Sequence, residues 1–372
     1  MNYINTLNEE IRQYINILCD GDYPDFIEKY IETEELQRLA GSDYYCGMPY
    51  TDVSLLQVKY PYSRLTHSIA CACMAWHLTK DKTQTICALF HDLGTPAFSH
   101  VHDFKLGDSI KQASSEKKVI DIISRSEEIK TYLKADQIDF NDVIDPKKFP
   151  IIDNSIPSLC IDRLDGIFTT GLIWGQYLTL DDIKKIYSTI KVFKSDDYNC
   201  MILPIKRFIF DVELGLERIY ALKFFKASIK YSTLLQSKED KYSMQLLGHI
   251  IKAVEDENIV KNGEFYQLNE QVIIDRILNS KYYYLWEDFT KLSEIYKVKK
   301  PTNGEYYLQV PVKVRFCSPL IKHYDYLAII DDISDEAKKM QQQFTEYYQN
   351  NNNIFMDSNI SNKSKDLLIQ YN

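Results

Sequence analysis

Residues 62–104 read YSRLTHSIACACMAWHLTKDKTQTICALFHDLGTPAFSHVHDF and contain five of the seven histidines of the chain. The part TICALFHDLGTP predicts a helix that ends at His91-Asp92, because Gly94 and Pro96 are stop signals typical of the residues just after a helix. A His-Asp pair at a helix terminus can direct both side chains toward one ion, and imidazole with carboxylate suits a borderline divalent metal. The stretch therefore predicts a metal site carried by helices.

Two further segments could supply ligands to the same ion. Upstream, RLTHSIACACMAWHL predicts a second helix, with Ser63 as its N-cap and His67 on it. Downstream, SLCIDRLDGIF is an apolar run interrupted by Asp162 and Asp165. A buried carboxylate is costly unless it is hydrogen-bonded, paired or bound to metal. From the residues alone, either aspartate could be the remaining ligand, and the His-Asp dipeptide by itself could equally be a helix cap.

These three segments resemble the HD-domain metal-dependent phosphohydrolases, whose pattern is a first His, a His-Asp pair and a distant Asp. YSRLTHS resembles their sRxxHS segment, and ALFHDLGTPAFSH resembles their aLLHDiGxxPFsH segment. IDRLDGI resembles the DaDRlDY segment of the branch that contains deoxynucleotide triphosphohydrolases. The resemblance implies a helical HD-domain core over residues 35–180 that holds one divalent metal ion, which could be Mn, Fe, Ni, Zn, Co or Mg. The metal ligands that it implies are His67, His91, Asp92 and Asp162.

The same resemblance implies further active-site residues. His100 and Asp103 are three residues apart, so that Asp103 could orient His100 for proton transfer. Equivalents of both residues belong to the active site in the triphosphohydrolase branch. Arg64 and Arg163 project from the ligand-bearing helices and are expected to bind substrate phosphate, with surface salt bridges as the alternative.

The sequence departs from that branch at three places. Thr95 stands where a further His is common, and Ser115 with Glu116 stands where a catalytic His-Glu is expected. Gly166 replaces a tyrosine that stacks on the substrate. Glu116, acting through a water, is therefore the second candidate for proton transfer after His100. These departures concern specificity for deoxynucleotide triphosphates more than they concern hydrolysis.

Such a site predicts a metal-dependent phosphohydrolase that acts on a nucleotide or another small phosphorylated molecule, because an ion with open coordination positions can activate water and polarise a phosphoryl oxygen. No histidine lies between His102 and His249, where two-metal HD phosphodiesterases carry extra ligands, so we expect one ion. The alternative is a catalytically weak HD fold that serves as a nucleotide sensor or an interaction scaffold, which the missing histidines would fit.

Composition and charge bound the remaining possibilities. The chain has 372 residues, of which 45% are hydrophobic and 26% charged, as in an ordinary globular protein. The net charge of -9 argues against broad nucleic-acid binding, which needs a positive surface. The eight cysteines form no CxxC pair, and no apolar run reaches about 18 residues. We therefore expect a cytoplasmic protein without a membrane segment, which could form a homo-oligomer.

The rest of the chain predicts a mainly α fold. N-terminal helices are expected over residues 1–34, and a helical C-terminal region with one small β-sheet over 181–345, packed on the core. The sheet prediction depends on YYLQVPVKVRF, residues 306–316, which alternates with a period of two. Residues 346–372 are rich in Asn and Ser and predict a flexible tail.

Two segments leave alternatives open. Residues 41–59 are rich in Gly, Pro and Tyr and predict a loop or a short hairpin. This connector is either an exposed connection or, as the resemblance implies, a wall of the active site. Arg218, Lys223, Lys226 and Lys230 recur at helical spacing and form either a solvated face or a wall that faces phosphate.

Overall fold

The fold was obtained as a computed structural model and is mainly helical, as predicted. Within the described residues, helices account for most of the chain and two small β-sheets for the rest of its regular structure. The structure describes residues 3–105, 116–193, 207–210, 216–301, 304–311, 314–323, 326–351 and 354–371.

The helices follow one another with short connections. Those of the N-terminal half are α1 (Glu9–Cys19), α2 (Glu28–Ile31), α3 (Glu34–Gln37), α4 (Arg64–Thr79), α5 (Lys82–Phe90), α6 (Val101–Lys105), α7 (Glu116–Arg125), α8 (Glu127–Ala135), α9 (Phe140–Val143) and α10 (Ile161–Thr169). Those of the C-terminal half are α11 (Leu180–Tyr187), α12 (Leu216–Leu235), α13 (Lys238–Asp256), α14 (Glu270–Leu278), α15 (Tyr283–Thr290), α16 (Ile330–Ile333), α17 (Asp335–Asn350) and α18 (Asn362–Leu368).

Helices α4 and α5 form the centre of the fold. The Ser63 hydroxyl accepts a backbone N–H at 3.1 Å and starts α4, as predicted, while the Asp81 carboxylate accepts two backbone N–H groups at 2.8 and 3.2 Å and starts α5. Between them Lys80 takes a left-handed conformation with φ of 51° and ends α4. Because α4 and α5 are buried on nearly all faces, they need neighbours on every side.

The neighbours of this central pair come from both halves of the chain. α1 and α10 pack on α4, and α9 packs on α5. From the C-terminal region, α12 packs on α10 and α13 packs on α6. Tyr14, Phe90, Phe168 and Phe224 are fully buried in the same hydrophobic cluster. The helices that carry the His and Asp motifs therefore share their core with the C-terminal region.

The two sheets lie elsewhere than the sequence predicted. One sheet has the order β1-β2-β4-β5, in which the central pair β2–β4 is parallel and the two outer pairs are antiparallel. The other is an antiparallel pair of β3 and β6. The strands are β1 (Ile190–Phe193), β2 (Arg207–Phe210), β3 (Ile295–Lys297), β4 (Leu320–His323), β5 (Tyr326–Ile329) and β6 (Met356–Ser358).

The prediction of a strand over residues 306–316 is wrong. Among the described residues of this segment, only Leu308 pairs, through one isolated bridge to Met356. Tyr306, Leu308 and Val310 are buried nonetheless, and the Tyr306 hydroxyl lies 3.3 Å from Nδ1 of His249 on α13. The period of two therefore reflects an extended segment that buries one side against a helix, with Pro311 lacking the N–H that a ladder needs.

The C-terminal residues also differ from the expected flexible tail. β6 pairs with β3, and α18 packs on α13 and α15. The Asp288 carboxylate accepts the Ser361 backbone N–H at 3.1 Å and the Ser364 hydroxyl at 2.5 Å. Met356 and Leu368 are buried. Over residues 354–371, apolar contacts and a capped helix outweigh the polar composition.

Helix α12 carries the basic stripe seen in the sequence. The described lysines of the stripe have protein partners: Lys223 pairs with Asp182, Lys226 lies 2.6 Å from Glu336, and Lys230 lies 5.0 Å from the Tyr177 ring centre. The side chain of Arg218 lies outside the described residues. The lysines thus form a salt-bridged surface. Neither α12 nor any other helix in the described part of the chain has the length and apolar composition required to cross a membrane.

Glu270 ties the C-terminal region to the segments beside the His-Asp motif. Its fully buried carboxylate accepts the backbone N–H groups of Asp43 at 3.0 Å and Phe98 at 2.9 Å, and the Tyr50 hydroxyl at 2.9 Å. Burial raises the pKa of Glu270 to about 8, and the nearby Asp43 carboxylate adds to the shift. One side chain of α14 therefore holds both the connector and the loop after α5.

This raised pKa predicts how stability depends on pH. A carboxyl group with a raised folded-state pKa contributes stability that is present below its unfolded pKa of 4.5 and is lost as the pH rises toward 8. We expect the free energy of unfolding of the parent to fall over this interval by on the order of 2 kcal/mol more than that of Glu270→Gln, which keeps an acceptor for both N–H groups. Urea denaturation of both proteins in EDTA across the interval measures the difference. Parallel stability curves would contradict the prediction.

Candidate metal centre

Two imidazoles face each other where α4 and α5 meet. Nε2 of His67 and Nε2 of His91 are 3.1 Å apart. Nδ1 of His67 lies 2.6 Å from the Asp165 carboxylate, and Nδ1 of His91 lies 2.7 Å from the Ala88 carbonyl oxygen. A neutral imidazole that donates from Nδ1 carries only a lone pair on Nε2. Two lone pairs therefore point into the same space, and a cation between them would satisfy both.

Two carboxylates converge on the same space. Asp162 Oδ1 lies 3.2 Å from Nε2 of His67 and 3.9 Å from Nε2 of His91. Asp92 Oδ2 lies 3.7 and 3.8 Å from the same two nitrogens. The side chain of His67 is fully buried, whereas that of Asp162 is 40% exposed. Substrate can therefore approach this cluster from the Asp162 side.

The donors fit one divalent ion. Two neutral imidazole nitrogens and two carboxylate oxygens are a set that Mn²⁺, Fe²⁺, Co²⁺, Ni²⁺ and Zn²⁺ accept. They come from α4, from the two residues that follow α5, and from α10. All four residues that the family pattern implied as ligands are thus brought together by the fold.

Asp165 lies behind His67, on the opposite side of the ring from the other donors. It is fully buried, and it accepts the hydroxyls of Tyr14 at 2.6 Å and Tyr62 at 3.1 Å besides its contact with Nδ1 of His67. These three hydrogen-bond partners offset the free-energy cost of burying the Asp165 carboxylate. Asp162 and Asp165 therefore have different environments: Asp162 faces the metal position, and Asp165 orients a ligand.

Asp92 is held by two other side chains. Arg64 Nη1 donates to its Oδ2 at 2.6 Å, and the Thr95 hydroxyl donates to its Oδ1 at 3.2 Å. Burial alone would raise the pKa of Asp92, but Arg64, with His91 and His67, holds that pKa well below its usual range. Thr95, which stands where the related branch often has a histidine, thus positions a ligand.

Arg64 and Arg163, the two arginines expected to bind substrate, donate to acceptors of the protein itself. Besides Asp92, Arg64 donates from Nε to Ser99 at 2.9 Å and from Nη2 to the Tyr44 carbonyl at 3.2 Å. Its guanidinium is buried, so its role here is to join the connector, the loop after α5 and a ligand. The phosphate-binding role expected of Arg64 stays a prediction.

Arg163 points away from the four donors. Its Nε donates to the Ser158 carbonyl at 3.0 Å, its Nη2 donates to the carbonyl and side-chain oxygens of Asn154, and its Nη1 lies 3.9 Å from Asp153. These acceptors belong to the loop before α10, and the Arg163 side chain points back toward that loop from the start of the helix. In the structure Arg163 holds this loop, and its expected contact with substrate stays a prediction.

His100 and Asp103 pair as expected but stand apart from the donor cluster. Nδ1 of His100 lies 3.2 Å from Asp103, which is buried, while the His100 side chain is 43% exposed. Among the described residues, no hydrogen bond or ion pair joins His100 to the four donor residues. His102 packs against Phe265, and burial lowers its pKa to about 3. His102 is therefore a buried residue that packs in the core.

The second candidate for proton transfer, Glu116, has a side chain that the structure does not describe. Glu116 is the first residue of α7, but its side chain lies outside the described residues. Ser115 lies outside them altogether. The candidacy of Glu116 therefore remains a prediction from sequence.

A thiol also lies close to the imidazoles. His67, Cys71 and His91 each have a donor atom within 4.8 Å of the others. The Cys71 sulfur lies 3.9 Å from Nδ1 and 3.7 Å from Nε2 of His67. Nearly equal distances to both nitrogens place the sulfur over the ring, away from the direction of the Nε2 lone pair. Cys71 therefore packs against a ligand and is not oriented as one.

Sequence reasoning missed the residues that orient the ligands. Tyr14 has the same helical period as the apolar residues of α1, so that sequence alone identifies it with the core. Tyr62 stands directly before the cap of α4, and Thr95 follows the His-Asp pair, without any sign of their partners. The connector did carry a signal, because its Tyr-rich composition was compatible with a site wall. In the structure, Tyr45 and Met48 of this connector are buried.

No protein-family model matches the chain. A curated relative, the metal-dependent phosphohydrolase cns2 of Cordyceps militaris, is 25% identical over 169 residues. The matched region is 44% of this chain and 46% of the relative, so the chain spans about half the length of the curated protein that it matches.

Two solved structures share the fold over most of the chain. A hypothetical protein from Aquifex aeolicus has a TM-score of 0.57 at 15% identity, with 86% of this chain and 94% of that chain covered. A phosphohydrolase from Bacteroides thetaiotaomicron VPI-5482 has a TM-score of 0.58 at 13% identity, with 89% and 94% covered. At these low identities, the two likenesses show that the fold is shared.

Proposed function

We propose that the protein is a metal-dependent phosphohydrolase that holds one divalent ion through His67, His91, Asp92 and Asp162 and hydrolyses a small phosphorylated substrate. The observation that carries the proposal is the 3.1 Å approach of two Nε2 atoms whose rings are both engaged at Nδ1. A divalent ion supplies Lewis acidity for activating water and for polarising a phosphoryl oxygen. The metal-dependent phosphohydrolase activity named for the Cordyceps relative supports the same class of reaction.

The residues around the donors orient them toward one position. Asp165 and the Ala88 carbonyl fix the two rings so that both Nε2 atoms face inward. Burial raises the pKa of Asp162, but the hydrogen bond and charge of His67, with the charge of His91, lower it to about 2. Asp162 is therefore ionised at neutral pH on the exposed side of the cluster.

We further propose a nucleotide as the substrate, because the motif resemblance is to the triphosphohydrolase branch. Gly166 and Thr95 depart from that branch, so a deoxynucleotide triphosphate is one member of a wider set of nucleotides to be tested. The second candidate function is a nucleotide sensor with weak catalysis. It is favoured by Arg64 and Arg163, whose guanidinium groups are engaged by protein acceptors in place of substrate phosphate.

A proton donor for the leaving group is the other part of the proposal. His100 is partly exposed and is oriented through Nδ1 by buried Asp103, which leaves Nε2 directed to solvent or substrate. Among the described residues, it makes no hydrogen bond or ion pair with the four donors, which suits a group that meets the leaving oxygen and not the ion. Cytoplasmic location belongs to the same proposal and is supported by buried, unpaired cysteines at positions 19, 46, 71, 73, 87, 160 and 317.

Because Asp162 and Asp165 have different environments, we expect their substitution to have different effects on metal binding and stability. Asp162→Ala should abolish metal retention while the metal-free protein keeps its stability, because the side chain is 40% exposed. Asp165→Asn should retain the site with metal affinity lowered about 10- to 100-fold, and should lower thermal stability, because three donors surround Asp165. Elemental analysis and thermal unfolding in EDTA measure both effects. Full metal retention in Asp162→Ala, with loss in Asp165→Asn, would reverse the ligand assignment.

The phosphohydrolase and the nucleotide-sensor proposals predict different results when the protein is tested with a panel of nucleotides. We expect the protein loaded with Mn²⁺, Fe²⁺, Co²⁺, Ni²⁺ or Mg²⁺ to release phosphate, pyrophosphate or triphosphate from at least one nucleotide. His91→Ala should abolish this activity, since the variant lacks one of the two facing imidazoles. Product analysis by anion-exchange chromatography on metal-analysed protein is the measurement. Nucleotide binding without turnover for every metal would favour the sensor.

The proton-transfer role of His100 predicts a kinetic effect without a structural one. His100→Ala should lower turnover by about 10²- to 10⁴-fold, the range of general acid catalysis, while metal content stays unchanged. His77→Ala is the matched control, since His77 is also partly exposed but lies at the far end of α4 against Tyr187. Turnover of His100→Ala within about threefold of the parent would exclude the role.

A further inference from the structure

Two tyrosine hydroxyls meet over Gly166, one helical turn after Asp162 on α10. The hydroxyl oxygens of Tyr44 and Tyr231 lie 2.8 and 3.0 Å from the position that a Cβ of residue 166 would occupy. Any side chain there would displace at least one of them. Both hydroxyls can approach α10 because residue 166 is a glycine, the residue by which this sequence differs from the related branch.

Among the described residues, the structure shows no hydrogen bond to the hydroxyl of Tyr44 or of Tyr231. Both side chains are half-buried. Tyr14 and Tyr62, by contrast, donate to Asp165. A hydroxyl beside a metal ligand without a protein partner is available to donate to a bound molecule.

The Tyr44 ring contacts two residues of α4. Its centre lies 4.6 Å from the centre of the His67 ring, at an interplanar angle of 37°. The Arg64 guanidinium carbon lies 4.9 Å from the same ring centre. The Tyr44 hydroxyl is therefore directed toward α10 by a metal ligand and by the arginine that holds another ligand.

Tyr231 reaches the same place from α12. Burial and the charge of Asp162 raise the pKa of Tyr231, whereas Arg315, His67 and Arg163 act in the opposite direction. Tyr231 is thus within electrostatic range of both the donor cluster and two arginines. Since α12 belongs to the C-terminal region, that region contributes to the space in front of the donors.

We propose that the hydroxyls of Tyr44 and Tyr231 bind the phosphoryl group of the substrate by donating hydrogen bonds to its non-bridging oxygens. The inference rests on the proposed function and deepens it, because it assigns the phosphate contacts that Arg64 and Arg163 do not make. Neutral donors suit this place, since the ion and the arginines already supply positive charge. Because Gly166 offers no ring to stack on a sugar, recognition centres on the phosphoryl group.

Inorganic phosphate, titrated into Mn²⁺-loaded protein by calorimetry, tests the proposal. A hydrogen bond to a charged group contributes about 1.5–3 kcal/mol, so Tyr44→Phe and Tyr231→Phe should each weaken phosphate binding by about 10-fold or more. Gly166→Ala should weaken it similarly, because the new methyl group displaces the hydroxyls. Metal content should stay at the parent level in all three variants.

Tyr45→Phe is the matched control. Among the described residues its hydroxyl also has no hydrogen-bond partner, but it is buried, and its ring packs against Trp174 with centres 5.2 Å apart. Phosphate affinity of this variant should equal that of the parent. An effect as large as that of Tyr44→Phe would overturn the assignment to specific hydroxyls.

The outcomes separate this inference from the proposed function. If the parent hydrolyses a nucleotide and the folded, metal-loaded Tyr44→Phe/Tyr231→Phe variant binds phosphate as tightly as the parent, the hydroxyl assignment is wrong and the phosphohydrolase stands. If the metal-loaded parent neither hydrolyses a nucleotide nor binds phosphate, both fail. Gly166→Ala keeps both hydroxyls chemically intact, so its loss of affinity would show that their position matters.

Discussion

The contact between His67 Nδ1 and the Asp165 carboxylate, at 2.6 Å in the centre of the protein, orients the ring on which the donor cluster depends. A carboxylate and an imidazole are both expensive to bury, and they lie here without exposure because Tyr14 and Tyr62 complete the shell of donors around Asp165. The three partners of Asp165 come from α1, from the residue before the cap of α4, and from α4 itself. Loss of any one of them removes a hydrogen bond from a buried carboxylate, so the packing of α1 on α4 and the orientation of His67 are one constraint.

Arg64 extends this constraint to the other donors. It lies one turn before His67 on α4, and its three nitrogens engage Asp92, Ser99 and the carbonyl of Tyr44. The ligand after α5, the loop that follows it and the connector before α4 are therefore held by one guanidinium. This explains why an arginine in the motif need not contact substrate: a buried, permanently charged group with five donors is suited to joining three segments.

The C-terminal region does more than cover the helical core. Glu270 holds the connector and the loop after α5 through two backbone N–H groups, and α12 brings Tyr231 to Gly166. The residues 354–371 close this region against α13 and α15. Such contacts link elements that are far apart in the sequence, so the space in front of the donors is complete only when both halves are folded together.

The sequence by itself determined the local structure of the site. Ser63, the His-Asp pair before Gly94, and the interrupted apolar run around Asp162 are local signals, because capping, helix termination and the cost of a buried carboxylate act over a few residues. The family pattern then implied four ligands, and the fold brings all four together. The mainly helical fold followed from the same local periodicity.

Only the tertiary structure decided which partners these residues have. Asp162 and Asp165 are alike in sequence, and only the placement of α10 beside α4 gives one an exposed position and the other three buried donors. Alternation over residues 306–316 predicted a strand, but whether an extended segment pairs or packs on a helix depends on its neighbours. The approach of Tyr44 and Tyr231 to Gly166 was equally invisible, because hydrogen bonding and close packing between distant segments follow from how the helices assemble and leave no periodic trace in the chain.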